Sequence, residues 1–181
     1  MKTITSAVIG PLRQNEDFDD WWSSEGAPIP FFNNLRLPVT FIGFTFEEAP
    51  RFIAEADEAL KYFLKLAIPD RIRLSGIVYR NCMQSLEGLE PMEQEIFRRI
   101  EEHDIWKQVF PKEIYLLRRP YKQHDMYVQV SCECGWEPEH GLQLVFRQGK
   151  KLTRVSGHDG HLTEADAFDK PDEEDELLSQ F

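Results

Sequence analysis

Residues 132–146 read C-E-C-G-W-E-P-E-H-G-L-Q-L-V-F and decide the fold. From Met126 onward, apolar and polar side chains alternate with a period of two, which is typical of a half-buried β-strand. Glu133 and Arg147 fall on one face of the predicted hairpin. The opposite face should be buried, and its members are Met126, Val128, Val130, Cys132, Cys134, Trp136, Leu142, Leu144 and Phe146.

Two turn signals set the expected strand pairing. Pro138-Glu139-His140-Gly141 contains proline and glycine, which favour a hairpin loop centred on Glu139. Gln148-Gly149 is a two-residue hairpin signal. The ladder that follows pairs Trp136 with Leu142, Cys134 with Leu144, Cys132 with Phe146, Arg147 with Lys150, and Leu142 with Val155. It also brings His158 across from Glu139, so the first loop and residues 157–161 should meet at one end of the sheet.

The run W-E-P-E-H-G-L-Q-L-V-F, followed by G-K-K-L-T-R-V and D-G-H-L-T, resembles an uncharacterised bacterial family, a domain of unknown function. Earlier segments resemble the same family: E-D-F-D-D-W-W, I-P-F-F, E-A-D-E-A-L and D-I-W-K-Q-V-F-P-K-E-I-Y. The resemblance extends to about Phe168. It implies no chemistry, because the family has no assigned activity. Some similar chains resemble immunity proteins that neutralise partner toxins, which implies a protein partner.

Length and composition bound the class of protein. The chain has 181 residues, of which 41% are hydrophobic, and this predicts one domain with its own core. No apolar run approaches the about 18 residues that a membrane helix needs. The N-terminus lacks a basic-then-apolar signal peptide, so we expect a cytoplasmic protein with no membrane partner. The three cysteines, Cys82, Cys132 and Cys134, should be reduced core residues rather than zinc ligands.

Negative charge is concentrated at the C-terminus. The formal net charge is −11. Residues 164–181 carry eight acids and one lysine, so −7 falls there and −4 on residues 1–163. We therefore expect a single α+β domain over residues 1–168 and an acidic, disordered tail over residues 169–181. No basic cluster is present, which argues against a nucleic-acid partner.

The order of elements indicates the fold class. Apolar residues at helical spacing predict one helix over 52–64, a second from Pro69 to Gly88, and a third that begins near Pro91 and ends before Pro111. Strands are predicted before and after these helices, at 8–12, 29–32, 37–44, 114–118, 126–136, 142–146 and 152–155. The order strands–helices–strands indicates an α+β fold. We expect a largely antiparallel sheet of about six or seven strands, with three helices mainly on one face.

The first candidate site is a polar cluster at one end of the sheet, formed by Glu139, His140, His158, Asp159 and His161. Histidine and carboxylate together can bind zinc or act as general acid and base. The H-x-x-H spacing of His158 and His161 lies on a loop, so it differs from the zinc-protease pattern. Polar loop residues making turn hydrogen bonds are the simpler interpretation, which the sequence favours.

The second candidate is a partner surface formed by Glu16, Asp17, Asp19, Asp20, Trp21 and Trp22. Aromatic residues flanked by charge are typical of protein interfaces. The carboxylates could instead hold calcium, although their spacing is not that of an EF-hand. A solvated loop beside core tryptophans is simpler than either. The solvent-facing side of the hairpin should carry cross-strand pairs among Glu133, Gln143, Arg147 and Arg154.

No catalytic motif is present in the sequence: we find no nucleophile elbow, P-loop or dinucleotide fingerprint. The favoured hypothesis is a non-enzymatic interaction protein of the immunity type that uses no cofactor. Its acidic surface would steer and occlude a basic toxin domain. The alternative hypothesis is a metal-binding or hydrolytic enzyme that uses the polar loop cluster.

Overall fold

The computed structural model describes residues 2–120 and 125–179. Ten strands lie in this part of the chain. In order they are β1 (Thr3–Ser6), β2 (Gly10–Gln14), β3 (Trp21–Ser23), β4 (Ala27–Ile29), β5 (Leu35–Leu37), β6 (Val39–Ile42), β7 (Val109–Arg118), β8 (Met126–Cys134), β9 (Leu142–Arg147) and β10 (Lys151–Ser156). Eight of them form one sheet in the order β1-β2-β3-β6-β7-β8-β9-β10, and β4 pairs with β5 in a small second sheet.

Neighbouring strands are antiparallel except β6 and β7, which run parallel. The parallel pair requires a long crossover. That crossover contains α1 (Ala49–Phe63), α2 (Ile68–Arg73), α3 (Ser75–Ser85) and α4 (Pro91–Arg98). Two further helices follow the sheet, α5 (Glu164–Ala167) and α6 (Glu176–Ser179). Four short 3-10 helices complete the described chain, at Pro30–Phe32, Leu86–Gly88, Glu102–Gln108 and Asp172–Glu174.

The α+β class and the mostly antiparallel sheet are as expected, but the predicted count of strands and helices is wrong. The main sheet has eight strands rather than six or seven. Strands β1 and β3 have four and three residues, too few for a period of two to stand out. The predicted helix from Pro69 to Gly88 is divided at Leu74, between α2 and α3. The predicted helix from Pro91 ends at Arg98 rather than before Pro111, because the chain continues as a 3-10 helix and β7 begins at Val109. Helices also lie on both faces of the sheet, since α6 contacts β10 beside the outer face.

The main core lies between the sheet and the crossover helices. Phe31 is fully buried and meets the rings of Phe63 and Phe146 at centroid distances of 6.0 and 5.6 Å. Trp136 is also buried, and its indole N–H donates to Asn81 Oδ1 on α3 at 3.1 Å. All nine residues predicted for the buried hairpin face belong to this core. The predicted facing of the hairpin is therefore confirmed.

The predicted pairing of that hairpin is wrong. Cys132 pairs with Leu142, Val130 with Leu144 and Val128 with Phe146. The loop therefore spans residues 135–141, because β8 ends at Cys134 and Trp136 leaves the ladder to pack against α3. In the second hairpin Arg147 pairs with Lys151, and a bulge at Thr153 sets Val155 against Leu144. The shift in the first hairpin is four residues, an even number, so it preserves the facing of both strands. The shift at Lys151 is one residue and turns Leu152 to the core side, opposite Phe146, and the bulge then keeps Val155 on that side as well.

The outer face of β8–β10 is not a wet surface, contrary to the sequence-based expectation. Gln143 and Arg154 are buried there. Residues 157–179, which we call the C-terminal segment, lie over this part of the face. Leu162 packs with Tyr127 and Val145 in a small second core. Within the described ranges, no helix is long and apolar enough to span a membrane.

Candidate functional site

The C-terminal segment is held on the outer face by a buried arginine. The Arg119 side chain is fully buried at the end of β7. It donates to both carboxylate oxygens of Asp166 at 2.7 Å and to those of Asp172 at 2.7 and 2.8 Å. Hydrogen bonds and charge from these two aspartates raise the pKa of Arg119 despite its burial.

Further polar contacts hold the same segment. Asp175 is buried and accepts hydrogen bonds from the backbone N–H groups of Ala165 and Leu178, both at 3.0 Å. The Arg154 guanidinium donates to the Thr163 carbonyl at 3.0 Å and pairs with Asp159. A disordered tail was expected from residue 169. In the structure, Asp172 is a counter-ion of buried Arg119 and Asp175 caps the last helix.

The rest of the outer face is left uncovered by the C-terminal segment. We use the name open face for its side chains on β3, β6 and β7 together with one residue of the preceding loop: Phe18, Trp21, Ser23, Thr40, Phe110, Glu113 and Tyr115. Trp21 and Tyr115 are partly exposed. Phe18 and Phe110 are 54% and 49% exposed. Exposed apolar side chains that are grouped on one face commonly mark an interaction site.

A β-bulge places Glu113 on the open face. Pro111 pairs with Cys132 on the buried side, whereas Glu113 pairs with Ser131 on the outer side. Lys112 is the extra residue, and its ammonium pairs with Glu133 at 2.9 Å. Bulges commonly turn a side chain toward a functional surface. Without this bulge, the alternation of β7 would direct residue 113 into the core.

The Glu113 carboxylate is held by hydroxyl groups. Thr40 Oγ1 donates to Glu113 Oε1 at 2.5 Å, and Tyr115 OH donates to Glu113 Oε2 at 3.1 Å. Ser23 Oγ in turn lies 2.7 Å from Thr40 Oγ1. Because Thr40 donates its own hydroxyl proton to Glu113, Ser23 is the donor in this second hydrogen bond. Burial, followed by the charge of Glu113, raises the pKa of Tyr115 to about 12. Tyr115 is therefore a neutral donor across the physiological pH range.

Three aromatic rings run side by side across the open face. Phe18 and Trp21 have ring centroids 5.2 Å apart. Trp21 meets Tyr115 edge to face at 5.9 Å. Such pairs are rigid and present a large contact area at little entropic cost. The open face is thus pre-organised by both ring packing and hydrogen bonds.

The predicted surface of acids and tryptophans is divided by the strand β3. Trp22 points into the core, where it stacks on Phe44 at 6.0 Å. Trp21 belongs to the open face. Glu16, Asp17 and Asp19 are exposed beside it, and Asp20 is partly exposed. Asn15 shapes this loop, since its side-chain oxygen accepts from the N–H groups of Asp17 and Phe18 at 2.8 and 3.1 Å.

The structure brings the two predicted loops of the polar cluster together. The His158 N–H donates to the His140 carbonyl at 3.1 Å. Both residues, with Glu139, line a cleft of 440 Å³ beside the open face. His140 Nδ1 lies 3.3 Å from Glu137, a residue that the sequence analysis did not single out. Asp159 and His161 are directed elsewhere, toward Arg154 and each other.

His158 is the most buried histidine of this cluster. Its Nε2 lies 3.1 Å from Ser131 Oγ on β8. Burial lowers its pKa, and a hydrogen bond with the Leu142 backbone opposes this in part. His158 is therefore neutral at pH 7. Across residues 2–120 and 125–179, no three His, Cys, Asp or Glu side chains converge in an arrangement suited to a metal ion.

Sequence reasoning missed Glu113, Tyr115 and Phe110 as members of a surface. One signal could have found them. Pro111 lies inside an otherwise alternating strand, and proline within a strand marks an edge or a bulge. A bulge at residue 112 reverses the facing of everything that precedes it in β7.

A family described as a domain of unknown function (DUF6985) matches residues 8–162. The match includes the open face, the bulge and the polar loop cluster, and it ends within the C-terminal segment. No curated protein has a significant match to the chain. No solved structure has one either. The chain belongs to the DUF6985 family.

Proposed function

We propose that this protein is a non-enzymatic interaction domain that binds another protein through the open face. The observation that carries this proposal is the contrast between the two halves of the outer face. The chain's own C-terminal segment seals one half. The other half keeps four aromatic residues in contact with solvent: Phe18, Trp21, Phe110 and Tyr115.

The composition of the open face suits a protein partner. Aromatic residues are enriched at protein interfaces, and tryptophan and tyrosine supply much of the binding energy at interface centres. Trp21 and Tyr115 lie centrally in the open face, with Phe18 at its edge. Ring packing already holds them in place, so binding would freeze few additional rotamers.

Charge favours a basic partner. Glu16, Asp17 and Asp19 are close to Phe18 in the sequence and are exposed, and the chain carries a net charge of −11. A surface of this kind attracts a positively charged protein and accelerates the encounter. We propose an immunity-type role in which the open face occludes a basic toxin domain. The same role is what the resemblance of some similar chains to immunity proteins implies.

Affinity capture from the native host tests the proposal. Wild-type protein, Trp21→Ala and Phe168→Ala would each be used as bait, and captured proteins identified by mass spectrometry. Phe168 is the control because it is exposed but lies on the C-terminal segment, outside the open face. We expect a basic protein to be captured by wild type and by Phe168→Ala, and to be lost with Trp21→Ala.

If Trp21→Ala captures the same protein as wild type, the partner does not bind through the open face. Capture of no protein, from a host that expresses the neighbouring genes, would remove the interaction role itself. Circular dichroism of each bait shows that the comparison is between folded proteins.

One contact favours a second candidate function, a hydrolytic enzyme. Ser131 Oγ and His158 Nε2 lie 3.1 Å apart at the cleft that His140 and Glu139 also line. A neutral histidine bonded to a serine hydroxyl can act as its general base. Because His158 is half-buried with a lowered pKa, it is available in the neutral form at pH 7.

A fluorophosphonate probe, which labels activated serines, separates the two candidates. The hydrolase candidate predicts labelling of wild type that Ser131→Ala and His158→Gln both abolish. The interaction candidate predicts no labelling of the native protein at Ser131. Labelling that persists in Ser131→Ala reports another residue and gives the hydrolase no support.

A further inference from the structure

Within the described part of the chain, Glu113 is a carboxylate without a counter-ion. Its two hydrogen-bond partners, Thr40 and Tyr115, are neutral hydroxyl groups. Among the residues that the structure describes, no lysine, arginine or histidine nitrogen lies within 4.0 Å of it. A partly buried charge is costly unless an opposite charge accompanies it. Glu113 is thus prepared for a cation that comes from outside the chain.

The rings of Trp21 and Tyr115 carry no lysine or arginine from the described residues either. Elsewhere the protein's own side chains occupy aromatic faces: Arg71 lies 5.6 Å from the Trp106 ring and Arg118 lies 5.4 Å from the Phe52 ring. Within residues 2–120 and 125–179, no lysine or arginine lies over Trp21 or Tyr115. Tryptophan is the strongest aromatic partner of a guanidinium group, and tyrosine also binds cations.

The Glu113 carboxylate can accept further hydrogen bonds. Each carboxylate oxygen has two lone pairs, and each accepts one described hydrogen bond, so one acceptor site per oxygen is left. Two oxygens of one carboxylate match the paired N–H groups of an arginine side chain. Trp21 and Tyr115, at 5.9 Å and an interplanar angle of 65°, form an aromatic corner. The Tyr115 hydroxyl connects this corner to the Glu113 carboxylate.

We infer that Trp21, Tyr115 and Glu113 form a binding site for an arginine side chain of the partner. The guanidinium stacks on the aromatic corner and pairs with the Glu113 carboxylate. This inference rests on the proposed function, since it names the anchor residue of the basic partner. The bulge at Lys112 is the feature that makes the site, because it turns Glu113 to the outer side of the sheet, where its carboxylate meets the Tyr115 hydroxyl.

The site can be tested on the isolated protein by fluorine NMR. The four tryptophans are labelled with 5-fluorotryptophan, and Trp21→Phe assigns the Trp21 signal. The probe is N-acetyl-arginine amide, and its neutral isostere N-acetyl-citrulline amide is the matched control ligand. We expect the arginine derivative to shift the Trp21 signal in a saturable way and the citrulline derivative to shift it at least about tenfold less, as loss of a charged contact predicts.

Two matched variants complete the test. Glu113→Gln should weaken arginine binding by about tenfold or more. Glu133→Gln, the same charge change on the same face, should leave it within about twofold. The other three fluorine signals report whether each variant is folded. Equal shifts from arginine and citrulline, or arginine binding that Glu113→Gln leaves unchanged, would overturn the inference.

The outcome is separable from that of the proposed function. Capture of a partner that depends on Trp21 but survives Glu113→Gln would retain the interaction role and remove the arginine site. Saturable arginine binding with no partner captured would retain the cation site and remove the interaction role.

Discussion

Replacing Arg119 tests how the C-terminal segment is held. In Arg119→Met the long apolar chain still fills its space, but Asp166 and Asp172 lose the guanidinium that both of them bind. Removing one partner from a buried ion pair costs about 3–5 kcal/mol, because the remaining charges lose a counter-ion that offset their desolvation. Arg119 is 0% exposed, whereas the aspartates keep 18% and 26% of their exposure. Water can therefore reach the carboxylates, so we expect the free energy of unfolding to fall by about 3 kcal/mol, the lower end of this range.

Urea unfolding measures this loss. With a slope of about 2 kcal/mol per M, a loss of about 3 kcal/mol lowers the midpoint by about 1.5 M. Arg99→Met is the matched control, because Arg99 pairs with Glu95 on the exposed surface of α4 and should contribute less than about 1 kcal/mol. Equal midpoints for Arg119→Met and Arg99→Met would refute the reasoning, since the buried clamp would then carry no more stability than a surface pair.

The remaining predictions concern a turn, a histidine and the cysteines. Gly149→Ala should cost at least about 2 kcal/mol, since φ is +65° and a new Cβ would lie 1.9 Å from the Ala59 carbonyl oxygen; Gly160→Ala, at φ +80° with nothing within 4 Å, should cost only about 1 kcal/mol in the same urea assay. Burial lowers the pKa of His158 in the folded protein below its ordinary value of 6.5. As the pH falls through 6.5 towards that lower pKa, the unfolded chain binds more protons than the folded protein, so the folded protein loses stability. The urea midpoints at pH 7.5 and pH 5 should therefore differ less for His158→Gln than for wild type. His103→Gln, at an exposed site, is the control and should behave as wild type. An identical pH dependence in all three proteins would count against the burial of His158. Burial raises the pKa of Cys82 to about 12 and raises those of Cys132 and Cys134, so a thiol reagent at pH 8 should modify the three cysteines only after urea is added, and fast labelling of the native protein would show that this part of the core is open.

Sequence alone was sufficient for the facing of the hairpin but not for its pairing. The period of two from Met126 to Trp136 specifies which side chains are buried, and burial confirms it. Pairing depends on where β8 ends, and that is decided by the bond between Trp136 and Asn81 on α3. This partner lies 55 residues away in the chain, so no local pattern could have indicated it.

The role of the C-terminal acids illustrates the same limit. A run of five acidic residues from Asp172 to Glu176 is typical of a solvated tail. Asp172 instead pairs with Arg119, 53 residues earlier, and Asp175 caps the last helix. The buried arginine has no distinctive local pattern, so its partners could not be inferred from sequence.

The candidate site was predicted only in part. The acidic loop and Trp21 were found from composition, and Trp21 lies on the open face. Glu113 and Phe110 were missed because the bulge at Lys112 changes the facing of β7. Tyr115 was missed because its significance depends on Trp21, which reaches it across β6.

Site-specific photo-crosslinking in the native host tests the central claim most directly. The photoreactive residue p-benzoylphenylalanine would replace Phe18, Phe110 or Phe168 in three separate variants. All three side chains are exposed, so the substitutions leave the core intact. We predict that the Phe18 and Phe110 variants trap the same basic protein and that the Phe168 variant does not. A partner trapped from Phe168 alone, or trapped equally from all three positions, would contradict binding through the open face.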